Sequence, residues 1–155
     1  MDKRLPIAAM ALIMVFFLAL LLPIPAAAQE KPLSLYQRLG GYDAVAALVD
    51  DWLGRMRNDP AFTKFGIGYS RDSMKRRRQL TVDYFCRASG GPCFYTGRDM
   101  KLGHAGLGIT GSEWQAAMQH LAAALDKFKV ATREKGEVLQ LISGLKTEIV
   151  EKSGD

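Results

Sequence analysis

The sequence predicts an all-α fold, and three observations support this prediction. Apolar residues recur at steps of three and four in four separate segments, which is the spacing of one helix face. Capping residues and glycine or proline stops bound these segments. No stretch alternates apolar and polar residues as a half-buried strand would. With 155 residues, of which 48% are hydrophobic, the chain has about the size of one ordinary domain.

The first 28 residues have the features of a secretory signal peptide. A basic start at Lys3 and Arg4 precedes a stretch without charge from Leu5 to Leu22, and Ala26-Ala27-Ala28 provides an Ala-x-Ala cleavage site. We therefore expect a signal peptide over 1–28, cleavage after Ala28 and export, to the periplasm. The alternative is an uncleaved membrane anchor, because the apolar stretch is nearly long enough to span a bilayer as a helix.

The rest of the chain is expected to form a linker, 29–34, and one helical domain, 35–152. Ser34 is the expected cap of a short first helix that ends at Gly40-Gly41. A second helix ends near Asn58-Asp59-Pro60, because proline disfavours helix for the residue before it. Its apolar stripe consists of Val45, Leu48, Val49, Trp52 and Met56.

A third helix follows an aromatic-rich connection. Three aromatic residues between 62 and 69 crowd a glycine-containing turn, which we expect to pack against the core or against a flat ligand. Asp72 or Ser73 is the expected cap of the third helix. Gly90-Gly91-Pro92 ends that helix.

The last part of the chain is expected to contain a loop and two helices. The loop runs from Cys93 to Thr110 and includes one short helix around Met100 to His104. Thr110 and Glu113 form a capping box for a fourth helix. A final helix is expected from about Thr132 to Lys152.

The net charge of +5 is concentrated in the run Lys75-Arg76-Arg77-Arg78. Such a run usually lies on a solvated helix face. Nucleic-acid binding would also require aromatic or base-reading partners nearby, so we expect no nucleic-acid partner.

The two cysteines, Cys86 and Cys93, leave two alternatives open. They form either a disulfide bond that clamps the Gly-Gly-Pro turn or two unpaired thiols. A zinc site is not expected, because His104 and His120 are the only histidines and do not lie at zinc-ligand spacing.

The surroundings of His104 indicate a cofactor site. Helices around an aromatic-rich turn and a glycine-rich loop with one histidine are typical of a site for haem, a flat apolar cofactor. Met100 would pack on the ring, and Lys101 would reach toward the haem carboxylates. His120 lies in a regular helix and is interpreted as structural or partly exposed. Because a lone histidine is more often a surface or hydrogen-bonded residue, spacing alone leaves both interpretations of His104 open.

Five motifs of the chain resemble those of the truncated haemoglobins of the first group. They are Leu35-Tyr36-Gln37-Arg38-Leu39-Gly40-Gly41, Asn58-Asp59-Pro60, Gly90-Gly91-Pro92, the segment from Tyr95 to Lys101, and the segment from His104 to Thr110. The resemblance covers about Leu35 to Val150. It implies a shortened globin in which two helix pairs enclose a b-type haem, with His104 as the ligand of the iron.

The resemblance also implies roles for residues near the haem. Tyr95, Met100 and Lys101 fall in the segment that lines the proximal side and the propionates. Phe65 and Phe85 match positions that contact the haem.

The distal side departs from the family pattern. Leu53, next to Trp52, occupies the position of the distal tyrosine, and Thr81 that of the distal glutamine. Arg77, one turn before Thr81, is expected to supply a hydrogen-bond donor or to bind a propionate. The alternative is that Arg77 is a solvated charge. Tyr84 is a further candidate donor, ranked below Thr81 and Arg77. Fewer donors predict faster loss of oxygen and easier oxidation of the iron.

We therefore expect a haem protein that reversibly binds oxygen or another diatomic gas, such as nitric oxide, at an iron ligated by His104. The alternative is a nitric oxide dioxygenase or a peroxide-handling haem enzyme. Such an enzyme would need a separate electron-donor protein, since the sequence has no flavin or nicotinamide fingerprint. A third possibility is a haem-free helical domain tethered to the membrane for protein contacts.

Overall fold

The computed structural model describes residues 31–152, which form helices and loops without a regular strand. The helices are α1 (Leu35–Arg38), α2 (Gly41–Asn58), a 3-10 helix (Pro60–Gly66), α3 (Arg71–Ala88), α4 (Met100–His104), α5 (Gly111–Lys127), α6 (Thr132–Ser143) and α7 (Lys146–Ile149). The prediction of an all-α fold is therefore confirmed.

The expected signal peptide, 1–28, and its cleavage site lie outside the described residues. Within 31–152, no helix combines the length and the apolar character that a membrane crossing requires.

Four helices, α2, α3, α5 and α6, enclose the hydrophobic core. Helix α2 packs against α3 and α5, and α5 packs against α6. Burial of apolar side chains is the main force that holds such helices together. The side chains that are almost completely buried include Val45, Val49, Val82, Leu121 and Leu125.

Two of the predicted helix caps form as expected. Ser34 begins α1 and Thr110 begins α5, each with a complete capping box. The predicted cap of α3 is wrong: Ser70 precedes that helix, and its hydroxyl accepts a hydrogen bond from the Ser73 amide at 3.2 Å. Asp72 instead lies in the first turn, where a negative charge is favourable toward the helix dipole.

The connection after α2 is more regular than its sequence indicates. Residues 60–66 form a 3-10 helix, and the carboxylate of Asp59 caps it by accepting a hydrogen bond from the Ala61 amide at 2.9 Å. Pro60 occupies the first position, where its missing N–H costs nothing.

The single last helix predicted from Thr132 to Lys152 is wrong, because the structure divides it into α6 and α7. Gly144 ends α6, and the Leu145 amide donates to the carbonyl oxygen of Ile142 at 2.9 Å in a tightened final turn. Ile142 and Ile149 are both buried, so the apolar period continues across the break and conceals it. Residues 150–152 are extended and contact Thr110 through one isolated bridge.

Candidate functional site

His104 is the last residue of α4 and is half-buried. Its Nδ1 lies 2.8 Å from the carbonyl oxygen of Met100, one turn earlier. A carbonyl oxygen only accepts hydrogen bonds, so Nδ1 carries a hydrogen, and in the neutral ring the lone pair is on Nε2. An imidazole held in this tautomer can ligate a metal through Nε2.

Helix α4 has five residues and presents different side chains to the core and to solvent. At its start, the carboxylate of Asp99 accepts a hydrogen bond from the Leu102 amide at 2.8 Å. Met100 packs against the hydrophobic core, whereas Lys101 is exposed. The helix therefore places an apolar side chain and a cation close in sequence to His104.

An aromatic cluster connects the loop before α4 to α3 and α2. The rings of Tyr95 and Tyr84 meet edge to face with centroids 5.4 Å apart, and Tyr84 lies beside Phe85. Phe85 is 5% exposed and also contacts Trp52, at 5.5 Å between centroids. Burial raises the pKa of both Tyr84 and Tyr95, so both phenols keep their hydrogen at neutral pH. The Tyr95 hydroxyl donates to the carbonyl oxygen of Arg98 at 2.7 Å.

A disulfide bond between Cys86 and Cys93 joins this loop to α3, with the two Cα atoms 5.8 Å apart. Of the two alternatives that the sequence leaves open, the clamp across the Gly-Gly-Pro turn is the one that forms. The Gly91 amide donates to the carbonyl oxygen of Cys86 at 2.8 Å. A Cβ at Gly91 would lie 2.6 Å from the Tyr36 ring and 2.8 Å from that oxygen, so the turn accommodates only glycine.

Arg77, Thr81 and Phe85 are four residues apart and therefore share one face of α3. The Arg77 guanidinium donates to the carbonyl oxygen of Phe65 at 3.0 Å and lies 4.5 Å from the centre of the Tyr69 ring. The Thr81 hydroxyl donates to the carbonyl oxygen of Arg77 at 2.9 Å. The side chains of Arg77 and Thr81, the donors expected on the distal side, thus both donate to backbone carbonyl oxygens of the protein. Their roles toward a haem stay predictions.

Helix α2 contributes Trp52 and Leu53, which pack against the core. The indole N–H of Trp52 donates to the carbonyl oxygen of Ala117 in α5 at 2.9 Å. This bond and the contact with Phe85 confirm Trp52 as a core residue. The side chain of Leu53 has no hydrogen-bond donor, whereas the family resemblance implies that many members have a tyrosine at this position.

The second histidine, His120, has a different environment. Its Nε2 lies 2.7 Å from a carboxylate oxygen of Asp59, and its ring lies 5.9 Å from that of Phe62. His120 is partly exposed. The interpretation of His120 as a structural, partly exposed residue is confirmed.

The residues around His104 fit a haem. A haem requires apolar side chains for its macrocycle, an imidazole nitrogen for its iron, and cations or phenols near its propionates. Met100, one turn before His104, supplies apolar surface, His104 supplies a ring nitrogen, and Lys101 supplies an exposed cation. Across residues 31–152, no group of three or more His, Cys, Asp or Glu side chains could hold a bare metal ion.

Sequence reasoning missed one polar contact beside His104. The carboxylate of Glu151 accepts hydrogen bonds from the amides of Gly106 and Gly108, each at 2.5 Å. The closely spaced glycines after His104 signal an unusual backbone, but nothing local indicates which distant side chain meets them.

The helical fold and this single-histidine site define a short globin. The sequence model of the family described as bacterial-like globin matches residues 34–151. The chain therefore belongs to this family and, by the relatives below, to the group 1 truncated haemoglobins, whose members bind haem.

Curated relatives support this assignment, and solved structures support the fold. A group 1 truncated haemoglobin of Mycolicibacterium paratuberculosis is 34% identical over 121 residues, covering 78% of this chain and 87% of the relative. One of Chlamydomonas moewusii is 30% identical over 128 residues, covering 81% of this chain and 73% of the relative. The crystal structure of the Fe(III) form of the truncated haemoglobin from Tetrahymena pyriformis has a TM-score of 0.71 and 23% identity, and the match covers 77% of this chain and 100% of that one. The predicted two-over-two globin fold is confirmed.

Proposed function

We propose that this truncated haemoglobin holds haem b through His104 and reversibly binds oxygen or another diatomic gas. The haem would supply an iron able to bind the gas. The single observation that carries the proposal is the contact between Nδ1 of His104 and the carbonyl oxygen of Met100. This contact leaves Nε2 as the basic nitrogen and fixes the plane of the ring.

The surroundings of the site support gas binding with few polar contacts to the gas. Leu53 is apolar, the Thr81 hydroxyl is bonded to its own helix, and Arg77 is bonded to Phe65. Because polar donors retain oxygen, their engagement elsewhere supports fast release. Release rather than storage is therefore the behaviour that we propose.

The absorption spectrum of the purified protein tests the ligand. We expect a Soret band for the wild-type protein and for His120→Ala, whose histidine contacts Asp59 instead. His104→Ala should hold haem much more weakly. Haem retention by His104→Ala equal to that of the wild-type protein would contradict the proposal.

Reaction with nitric oxide separates gas binding from enzymatic turnover. The ferrous protein, equilibrated with oxygen, is mixed with nitric oxide in a stopped-flow instrument and a reductant is then supplied. A single stoichiometric reaction is expected of a gas-binding protein. Repeated turnover would instead favour a nitric oxide dioxygenase served by a separate electron-donor protein.

We also propose that residues 1–28 direct export to the periplasm. The charge-free stretch from Leu5 to Leu22 and the Ala-x-Ala site support this proposal. The disulfide between Cys86 and Cys93 supports it independently, because disulfides persist mainly in oxidising compartments. The mass of the protein from cell fractions tests it: a chain that starts at Gln29 in the periplasm is expected, whereas a full-length chain in the membrane fraction would indicate an anchor.

A further inference from the structure

The loop directly after His104 has an unusual backbone. Gly106 and Gly108 both have positive φ angles, +79° and +62°, in the region that favours glycine. Their amide N–H groups both donate to the carboxylate of Glu151, Gly106 to Oε1 and Gly108 to Oε2, each at 2.5 Å. Backbone amides two residues apart that converge on one carboxylate form an anion-binding nest, and here a side chain of the same protein fills it.

The main chain holds Glu151 firmly in this position. The amides of Glu151 and Lys152 both donate to the carbonyl oxygen of Ile109, at 2.9 and 3.1 Å. The Gly111 amide donates in turn to the carbonyl oxygen of Lys152 at 3.2 Å. Helix α7, which precedes Glu151, packs against α4, which carries His104. The C-terminal segment therefore contacts both α4 and the loop that follows it.

The hydrogen bonds from Gly106 and Gly108 hold the pKa of Glu151 below its usual range. The side chain is therefore a carboxylate at neutral pH, and its bonds to the two amides are charge-assisted. Such bonds are stronger than those between neutral groups.

Helix α4 depends on contacts of this kind because it is too short to be stable alone. Asp99 fixes its first turn. The other end, where His104 lies, runs into the loop from Ala105 to Gly108. In the part of the chain that the structure describes, Glu151 is the side chain to which the amides of Gly106 and Gly108 in that loop donate.

We propose that Glu151 is a positioning residue for His104, and this inference rests on the proposed role of His104 as the iron ligand. By fixing Gly106 and Gly108, the carboxylate of Glu151 sets where α4 ends and hence how the imidazole approaches the iron. Loss of the carboxylate frees the loop and lets the imidazole tilt. The expected consequence is a weaker and more variable bond between His104 and the iron.

The test uses Glu151→Gln, which keeps the size of the side chain but removes its charge and one acceptor oxygen. The matched control is Glu148→Gln, which removes an exposed carboxylate from α7 of the same C-terminal segment. We expect Glu151→Gln to accelerate hydrogen exchange at the Gly106 and Gly108 amides about tenfold or more, since a charge-assisted bond is lost. The band for the iron–histidine stretch in the resonance Raman spectrum should shift or broaden, and haem should transfer several-fold faster to an acceptor protein. Glu148→Gln should match the wild-type protein in all three measurements.

A second variant, Glu151→Asp, keeps the charge on a shorter side chain and should give intermediate values. Faster exchange at Gly106 and Gly108 with an unchanged iron–histidine band would overturn the proposal, because Glu151 would then close the loop without acting on His104. Unchanged exchange in Glu151→Gln would overturn it as well. Failure of the proposed function gives a different result, namely full retention of haem by His104→Ala.

Discussion

The hydrophobic core and the segment that carries His104 are held together by different forces. In the core, formed by α2, α3, α5 and α6, apolar side chains such as Val49, Leu121 and Leu125 are completely buried. In the His104 segment, defined here as residues 89–110, Ser89 is the one buried residue. This segment is fixed instead by the disulfide at Cys93, by individual hydrogen bonds and by Glu151.

The difference separates stability from the arrangement of the site. Burial in the core is shared among many side chains, and losing part of it weakens the whole fold. The His104 segment depends on a few discrete contacts, and losing one of them frees a short stretch of chain. Substitutions in the two regions should therefore change different measured quantities.

The largest effect is expected for Leu125→Ala in α5. Leu125 is 0% exposed, so its truncation leaves a cavity and should lower the free energy of unfolding by about 2–5 kcal/mol. Urea denaturation of the haem-loaded protein measures this change. The iron–histidine band of the folded protein should stay as in the wild type.

The control for this substitution is Leu102→Ala in the His104 segment. Leu102 is 61% exposed, so a change within about 0.5 kcal/mol is expected. Equal losses for the two variants would show that the His104 segment is as tightly packed as the core, and would contradict its dependence on a few discrete contacts.

A smaller effect is expected when the disulfide is removed by the double substitution Cys86→Ala and Cys93→Ala. The bond closes a short loop, with a sequence separation of 7, so its loss should lower the free energy of unfolding by about 2–3 kcal/mol through the entropy of the unfolded chain. Thermal unfolding with and without a thiol reductant measures the effect. The reductant should destabilise the wild-type protein and leave the double variant unchanged; an equal response of both would contradict the role of the disulfide.

The elements that sequence analysis predicted correctly are those with local signals. The cap at Ser34, the capping box at Thr110 and the stops at residues 58–60 and 90–92 all depend on neighbours a few residues away. The prediction of His104 as the iron ligand likewise rests on its own surroundings and on the family resemblance. In these cases the information lies within one short stretch of sequence.

The features that could not be predicted depend on distant partners or on competing local signals. Three polar residues near the start of α3 can each act as a cap, and the folded chain uses Ser70. The break after α6 is hidden because Ile142 and Ile149 are buried on either side of it. Glu151 lies far from Gly106 and Gly108 in sequence, and only the folded chain brings them together.

The smallest effect is expected for the polar contact between Asp59 and His120, which joins the 3-10 helix to α5 at the edge of the core. The hydrogen bond from His120 and that from the Ala61 amide hold the pKa of Asp59 below its ordinary value of 3.8. A carboxylate with a lowered pKa in the folded state stabilises that state above its unfolded pKa. This stability is lost as the pH falls through the folded pKa.

Asp59→Asn isolates this charge, because asparagine is as good a helix cap as aspartate. Near neutral pH the variant should melt at most a few degrees below the wild-type protein, since both partners are partly exposed. The difference should shrink as the pH falls from 3.8, where Asp59 of the unfolded chain takes up its proton, through the lower pKa of the folded state. His120→Gln, which removes the other partner, should reproduce the loss near neutral pH. A difference between wild type and Asp59→Asn that stays constant down to strongly acidic pH would show that the carboxylate charge is not its cause. The contribution of these residues to stability would then come from apolar packing, as in the core, and not from a discrete polar contact of the kind that fixes the His104 segment.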